Sequence, residues 1–249
     1  MNIASHLTAN ADVMNGPTWH LPDTSGSAAL ERTLKTHRRG HRAGSMIELE
    51  GGKSNVTYCV LSGWLSLSKS MPDGQRQIID FALPGDILNP TSADNASSTL
   101  QIEAVTYTTV SAIPRNIWGS LTDGLPQLSL LENRIIAGTF SRFSERMLRL
   151  GKGSAEARIA YALIELYIRL SAIGQVHGDS FHLPLTQQTL GEFVGLSSVH
   201  VCRMVRRLSR LGVISMEGHM AITILDMGTL ANIAGIDPGR LENSIIPRL

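Results

Sequence analysis

The spacing of hydrophobic residues divides the chain into a strand-rich half and a helix-rich half. Short alternating or β-branched runs fill residues 44–114, and glycine pairs or Pro-Gly turns separate them. Five strands are predicted, at 55–61, 64–68, 77–81, 100–105 and 107–113. Gly63, Gly74 and Gly85 recur every 11 residues, a spacing that suits one strand plus one turn. This pattern predicts an antiparallel β-roll or small barrel.

After the strands, apolar residues recur at helical spacing over 125–150. This stripe consists of Leu128, Leu131, Ile135, Phe140, Phe143 and Met147. A helix of that length extends about 37 Å, which is more than the core of one small β-domain can cover. We therefore expect the stripe to pack against the same helix of a second subunit in a homodimer. Burial of the stripe within one subunit is the alternative.

Residues 186–211 have the pattern of two short helices joined by a tight turn. Gly195 ends the first helix, because glycine adopts the left-handed conformation of a helix C-cap at little steric cost. Ser197 can cap the second helix. The apolar positions of the two helices give one buried face, formed by Leu190, Val194, Val201, Met204 and Leu208. This layout is a helix-turn-helix, whose second helix can enter the major groove of DNA.

Positive charge is concentrated on that second helix. No Asp or Glu occurs between Glu192 and Glu217, whereas the same stretch contains Arg203, Arg206, Arg207 and Arg210. Cations without a local counter-ion are favourable beside phosphate groups. A solvated helix face is the alternative. The net charge of the whole chain is only +1, so any affinity for DNA must come from this local patch.

The surrounding elements complete a winged-helix unit. A helix over 155–172 and a short strand over 181–185 precede the two helices, and a β-hairpin over 213–225 follows them. The predicted domains are a flexible N-terminal arm over 1–26, a β-roll domain over 27–124, a dimerisation helix over 125–150, a winged-helix domain over 151–235 and a C-terminal tail over 236–249.

Composition narrows the function further. Cys59 and Cys202 are the only cysteines, too few for a disulfide scaffold or a four-thiolate cluster, so a reducing cytosol is the natural compartment. No segment approaches the roughly 20 apolar residues of a membrane span. The N-terminus also lacks the basic and apolar pattern of a signal peptide. We expect a soluble cytoplasmic protein that does not contact the membrane.

Candidate chemistry is sparse. His37, His41 and Glu48 have the outline of a cupin-like metal enzyme, but Gly40 argues against a continuous helix between the histidines, and the His-x-His pair of such sites is missing. We therefore expect no catalytic site, no metal site and no bound cofactor. Cys202 is a candidate redox position, because its oxidation on the second helix would disturb contacts with DNA. The alternative is a small residue that fills a helix position.

The order of β-roll, long helix and winged helix resembles the CRP/FNR superfamily of bacterial transcription regulators. The resemblance covers about 28–235 and is strongest in TQQTLGEFVGLSSVHVCRMVRRL over 186–208. It implies an α+β fold class, with an antiparallel β-roll like the jelly roll of cyclic-nucleotide-binding domains, a dimerisation helix and a C-terminal winged helix-turn-helix. It also implies a homodimer that binds double-stranded DNA sequence-specifically at a pseudo-palindromic operator, with RNA polymerase as a further candidate partner.

The resemblance assigns roles to residues of the helix-turn-helix. Arg203 matches the arginine that reads a guanine in the family, and Ser198 and Val199 occupy the other two base-facing positions. The charge pattern of the second helix makes Arg206 and Arg207 predicted contacts with phosphate. The resemblance adds four residues at or beside positions that contact phosphate, namely Thr186, Gln188, Ser197 and His200. Each of these could instead serve only as a helix cap or a surface group.

The β-roll departs from the family members that bind cyclic nucleotides. Those proteins carry Gly-Glu and then an Arg followed by Ser or Thr, where this chain has NPTSADNASSTLQIEA over 89–104. No Lys or Arg occurs between Arg76 and Arg115, so a buried cyclic phosphate would lack a counter-charge. We expect no dependence on a cyclic nucleotide. A response to a cyclic nucleotide through an altered site, or to haem bound by His20, His37 or His41, is the alternative.

Overall fold

The computed structural model describes residues 25–89, 97–218 and 220–247. They form two four-stranded antiparallel sheets, a long helix and a winged-helix unit with a third antiparallel sheet, which confirms the α+β fold class. Nearly all of the predicted N-terminal arm, residues 1–24, lies outside the described residues. In the described part of the chain, the helices are too short or too polar to span a membrane.

The β-roll begins with helix α1, Ser25–Thr36, and contains eight strands. Their bounds are β1 Arg38–His41, β2 Met46–Glu48, β3 Val56–Ser62, β4 Leu65–Ser70, β5 Arg76–Ala82, β6 Ile87–Leu88, β7 Gln101–Ala104 and β8 Thr108–Pro114. One sheet has the order β1-β8-β3-β6 and the other β2-β7-β4-β5. All five predicted strands are confirmed. The sequence missed β1, β2 and β6, because runs of four residues or fewer show little alternation.

The glycines at 11-residue spacing do occupy turns. Gly63, Gly74 and Gly85 have φ angles of 78°, 85° and 98°, in the region that side chains disfavour. At Gly63 a Cβ atom would lie 2.4 Å from the carbonyl oxygen of Tyr107. Only glycine therefore fits the turn between β3 and β4.

Two helices connect the roll to the winged-helix unit: α2, Arg115–Gly124, and α3, Pro126–Lys152. The winged-helix unit begins with α4, Ala155–Ala172. The long helix predicted over 125–150 is thus confirmed as α3. The helical conformation is interrupted at Gly153 and Ser154. The side chain of Ser154 caps α4 by accepting a 3.1 Å hydrogen bond from the Ala157 N–H.

The predicted dimer stripe on α3 is wrong in its first half. Leu128, Leu131 and Ile135 are buried inside the subunit, where they pack in a cluster with Trp118 of α2 and Cys59 of β3. The next stripe residue comes five positions later, and five residues turn a helix by about 500°, or about 140° beyond a full turn. The two halves of the stripe therefore lie on different faces of α3.

The second half of the stripe is exposed. Phe140 and Met147 are 73% and 72% exposed, and Phe143 is half-buried. Exposed residues along this face recur at alternating steps of three and four positions, through Leu130, Asn133, Ala137, Phe140, Ser144, Met147 and Gly151. We call this set the α3 seam. Alternating steps of three and four are the spacing of a coiled-coil contact.

The winged-helix unit contains the remaining elements of the described chain. Their bounds are β9 Val176–His177, β10 Ser180–His182, α5 Gln187–Val194, α6 Ser198–Arg210, β11 Ile214–Glu217, β12 Ala221–Ile224, α7 Met227–Ala234 and α8 Pro238–Ile245. The strands form one antiparallel sheet in the order β11-β12-β10-β9. The predicted helix-turn-helix and the wing hairpin are both confirmed.

The segment 236–249, expected to be a tail, contains the packed helix α8. Asp237 caps this helix by accepting a 3.0 Å hydrogen bond from the Arg240 N–H. Leu241 and Ile245 are buried, and α8 packs against α3 and α4. The sequence missed α8 because eight residues present only about two turns of periodicity.

The β-roll and the winged-helix unit share one hydrophobic core. The ring of Phe81 on β5 lies 4.9 Å from the ring of Phe193 on α5 and 5.7 Å from Trp64. Ile78 and Leu83 of the roll belong to the same cluster as the buried face of α4. The predicted boundary near residue 151 therefore marks the end of a helix but no interruption in packing.

Five buried charged side chains and one half-buried carboxylate, that of Asp86, form an ion cluster at this junction. Asp80 belongs to strand β5, and Asp86 lies in the turn after it. Helix α3 contributes Arg142 and Arg146, and helix α4 contributes Glu165 and Arg169. Three positive and three negative groups balance. Burial by itself would raise the pKa of Asp80, but the charges of Arg142, Arg146 and Arg169 more than offset burial and hold that pKa well below its usual range. We call this group the Asp80 ion cluster.

Candidate nucleic-acid interface

Side-chain caps fix both helices of the helix-turn-helix. The hydroxyl oxygen of Thr186 accepts a 3.0 Å hydrogen bond from the Thr189 N–H at the start of α5. The hydroxyl oxygen of Ser197 accepts a 3.3 Å bond from the His200 N–H at the start of α6. Thr186 and Ser197 therefore have structural roles in this fold.

The turn between the helices depends on two glycines. Gly195 has a φ angle of 67° and ends α5 in the left-handed conformation. A Cβ atom on Gly191 would lie 2.4 Å from the carbonyl oxygen of Leu196. Because that distance is too short for any side chain, Gly191 is what allows α5 to approach the turn so closely.

Helix α6 is held by one face and exposes the other. Val201, Val205 and Leu208 are fully buried against the winged-helix core. Met204, predicted on the buried face, is only half-buried, and Val205 takes the deep position. The opposite face carries exposed side chains, including Val199, which is 66% exposed. An exposed apolar side chain beside arginines is available for contact with bases.

An open groove of about 880 Å³ runs along the exposed face of α6. Its lining residues are Gln187, Ser198, Val199, Cys202, Arg203, Val205, Arg206, Ser209, Arg210 and Met216. The structure thus brings together the three predicted base-reading residues and one predicted phosphate contact, Arg206. The other predicted phosphate contacts, Thr186, Gln188, Ser197, His200 and Arg207, lie outside this lining.

Two of the predicted phosphate contacts already have partners within the subunit. The Nε of Arg207 lies 3.2 Å from a carboxylate oxygen of Glu156 on α4. The Nε2 of Gln188 donates a 3.1 Å hydrogen bond to the carboxylate of Glu192, one turn along α5. By contrast, no carboxylate in the described ranges forms an ion pair with Arg203, Arg206 or Arg210. The groove therefore presents positive charge that the described part of its own subunit leaves unbalanced.

The assignment of site residues from the sequence missed part of the groove. Arg210 follows Arg206 by four positions, so helical spacing alone could have placed it on this face. Gln187 comes from the start of α5 and Met216 from β11. Their proximity to α6 depends on how the wing and α5 pack, which no local pattern in the sequence reveals.

The two cysteines have different environments. Cys59 is fully buried in the roll, and burial followed by the charge of Glu132 raises the pKa of its thiol. Cys202 is half-buried and lines the groove. Of the two, Cys202 is the thiol that reagents or oxidants can reach.

Among the described residues, those considered for a metal or haem do not form a cluster. Glu48 is buried and accepts hydrogen bonds from Ser54 at 2.7 Å and Asn89 at 3.1 Å. Across residues 25–89, 97–218 and 220–247, no three His, Cys, Asp or Glu side chains are grouped to hold a metal. His20, one of the three candidate haem ligands, lies outside the described residues.

Comparisons with known proteins agree with this geometry. Residues 38–123 match the cyclic nucleotide-binding domain, and residues 157–233 match the Crp-like helix-turn-helix domain. The nitrogen fixation regulation protein FixK of Bradyrhizobium diazoefficiens is 32% identical, over 84% of this chain and 86% of its own length. The transcriptional activator protein anr of Pseudomonas aeruginosa is 29% identical, over 81% of this chain and 80% of its own.

A solved structure gives the same result. FixK2 from Bradyrhizobium japonicum superposes with a TM-score of 0.71 at 26% identity, and the match covers 79% of this chain and 96% of that one. Both halves of the chain and their order thus have counterparts in known regulators. The chain therefore belongs to the CRP/FNR family and is a DNA-binding transcription regulator.

Proposed function

We propose that this regulator binds a pseudo-palindromic operator as a homodimer and reads bases with α6. The observation that carries the proposal is the groove on α6, whose arginines have no carboxylate partner within the described subunit. Arg203 reads a guanine through its planar guanidinium group, and such a contact contributes about 1–3 kcal/mol of discrimination. Ser198 offers a hydroxyl group, and Val199 offers an apolar contact for a thymine methyl group.

Phosphate contacts position α6 along the groove. Arg206 lines the same groove. The exposed side chain of Arg207 can contact a phosphate if it gives up its ion pair with Glu156. Gln188 and His200 are exposed near the N-terminal ends of α5 and α6. Thr186 and Ser197 act chiefly as caps that orient backbone N–H groups at these two helix ends, where anions bind favourably.

The α3 seam is the proposed dimer contact. Large side chains, Phe140 and Met147, alternate along it with the small residues Ala137 and Ser144. A two-fold partner would place each large side chain against a small one of the other helix, as knobs pack into holes. Two α3 helices side by side present both α6 helices to one face of DNA, about 34 Å apart.

The β-roll is proposed to act without a cyclic nucleotide. Residues 77–114 contain no Lys or Arg. Arg142 and Arg146 of α3 and Arg169 of α4 contact the roll, and the carboxylates of the Asp80 ion cluster neutralise these three arginines. A cyclic phosphate would therefore meet no spare cation among them. Calorimetry with cyclic AMP and cyclic GMP should give no binding heat. A cyclic nucleotide that binds the protein and raises its affinity for the operator would establish the nucleotide-responsive alternative instead.

Haem bound by His20, His37 or His41 is the second candidate signal, and a visible absorption spectrum of the purified protein tests it. We propose RNA polymerase as a further partner and the cytoplasm as the compartment, because the target is DNA. We propose no enzymatic role. The related proteins named above are a nitrogen fixation regulator and a transcriptional activator.

Selection of binding sites from a random pool of 30-base-pair duplexes tests the proposal. The full-length protein should enrich a two-fold symmetric motif whose half-sites are about 10 base pairs apart, and sedimentation should give the mass of a dimer. Enrichment of a single half-site by a monomer would contradict the dimer. Enrichment of no motif would contradict sequence-specific binding through α6.

A further inference from the structure

The β-roll caps a helix of the winged-helix unit. The last four carbonyl groups of an α-helix have no donor within the helix. In α5 the carbonyl group of Gly191 accepts from the Leu196 N–H at 2.9 Å. The next two, those of Glu192 and Phe193, accept from the side-chain amide of Gln77, which belongs to β5 in the roll.

Contacts beside this cap strengthen the docking of α5 on β5. The Nε of Arg76 lies 3.8 Å from the carboxylate of Glu192, and a 2.8 Å ion pair with Glu103 holds Arg76 in place. A Cβ atom on Gly195 would lie 2.8 Å from Leu150 at the end of α3, so the turn after α5 also abuts the long helix. The C-terminal end of α5 thus contacts both the roll and α3.

Strand β5 is itself tied to α3. Arg142 and Arg146, both on α3, bond the two carboxylate oxygens of Asp80 at 2.8 and 2.9 Å. Arg146 also donates to the backbone carbonyl group of Ile79. Through these bonds α3 fixes β5, and through Gln77 β5 fixes α5. This path joins the α3 seam to the helix-turn-helix without passing through the connection at Gly153.

Docking on β5 leaves the reading face of α6 open. Ser198, Val199 and Arg203 are exposed while Gln77 holds the end of α5. The contact therefore does not block DNA. Its geometric effect is to fix the direction in which α6 points relative to α3.

We propose that Gln77 is a positioning residue that sets the half-site spacing of the operator. The inference rests on the proposed function, because it requires two subunits related through the α3 seam. One base pair inserted between the half-sites increases the distance between them by about 3.4 Å. It also rotates one half-site relative to the other by about 34–36°. A dimer accepts that change only if each helix-turn-helix can rotate about Gly153, and the Gln77 cap resists this rotation.

Parallel selections from the random duplex pool test the inference with the full-length wild type, Gln77→Ala and a matched control, Gln75→Ala. Gln75 belongs to the same hairpin, but its side chain is exposed, and the hydrogen bond it donates within the described residues goes to the Asp73 carboxylate in the turn, at 3.0 Å. Wild type and Gln75→Ala should enrich one spacing. Gln77→Ala should enrich the same half-site bases with a broader distribution of spacings.

Binding assays on the selected operator, with and without one base pair added at its centre, give the size of the effect. Gln77→Ala should reduce the discrimination between the two duplexes by about fivefold, the scale of one lost hydrogen bond. Gln77→Lys keeps a donor for the α5 carbonyl groups and should preserve the wild-type spacing. Thermal midpoints of all variants should stay close to that of the wild type, because the Gln77 side chain is only half-buried.

The outcomes separate this inference from the proposed function. A wild type that enriches no two-fold motif refutes the dimer on its operator, whatever Gln77 does. If the wild type and Gln77→Ala both select the same single half-site spacing, Gln77 does not set the half-site spacing. A Gln77→Lys variant with relaxed spacing, or altered half-site bases in Gln77→Ala, would likewise overturn the positioning role.

Discussion

Replacing Asp80 with asparagine removes one negative charge from the Asp80 ion cluster. The side chain is 5% exposed, and both of its carboxylate oxygens accept hydrogen bonds from arginines, at 2.8 Å from Arg142 and 2.9 Å from Arg146. Asparagine keeps the shape but leaves three guanidinium groups facing two carboxylates. Loss of one member of a buried ion pair lowers the free energy of unfolding by about 3–5 kcal/mol.

Such a loss is large enough to measure by thermal unfolding. For a chain of this size, 1 kcal/mol shifts the midpoint by about 2–4 °C, so Asp80→Asn should unfold about 10 °C below the wild type. Asp73→Asn is the matched control, because Asp73 lies exposed in the turn between β4 and β5. Its midpoint should change by less than about 2 °C.

Acidification provides a second test of the same charge. The pKa of Asp80 is lower in the folded protein than the usual value of about 3.9. The Asp80 carboxylate therefore contributes its full stabilisation above the usual pKa of about 3.9. That stabilisation is lost as the pH falls through the lower pKa of the folded state. The wild type should lose more stability than Asp80→Asn below about pH 4. An Asp80→Asn protein within about 1 kcal/mol of the wild type at pH 7 would contradict the role of Asp80 as the buried counter-charge of these arginines.

Three further predictions concern the interfaces. Phe140→Glu puts a charge into the α3 seam and should convert the dimer to monomers, as measured by sedimentation. The control variant Asn116→Glu, on the exposed face of α2, should remain a dimer. A Phe140→Glu protein that is still dimeric would show that the dimer contact lies elsewhere. Arg206→Ala should weaken binding similarly for all sequences and reduce the slope of log affinity against log salt by about 1, so an unchanged slope argues against a phosphate contact. In the folded protein, a maleimide should label Cys202 and leave the buried Cys59 unlabelled. Bound operator should slow the labelling of Cys202. Equal labelling of both thiols would contradict their placement.

The helix-turn-helix could be predicted from the sequence because its determinants are local. Gly195 and Ser197 mark its turn, and the apolar spacing of α5 and α6 fits within 26 residues. The stripe on α3 was predicted only in part. Its five-residue step between Ile135 and Phe140 already signalled a change of face, and a helical projection would have separated the buried half from the exposed half.

The junction between the two halves of the chain could not be predicted in this way. Asp80 meets Arg142 across 62 positions of sequence, and Gln77 meets the end of α5 across 115 or more. On a helix read in isolation, Arg142 and Arg146 resemble ordinary solvent-exposed charges four positions apart. Only the packing of β5 between α3 and α5 reveals that they neutralise a buried carboxylate and connect the roll to the helix-turn-helix.

The most direct test of the account is equilibrium binding of wild type and Arg203→Ala to the selected operator and to a scrambled duplex, at several salt concentrations. The wild type should prefer the operator by about 10³-fold or more. Arg203→Ala should remain a folded dimer with unchanged affinity for the scrambled duplex, and it should lose about 1–3 kcal/mol of preference at each half-site. An Arg203→Ala protein that still distinguishes the two duplexes as well as the wild type does would show that α6 does not read the operator through Arg203.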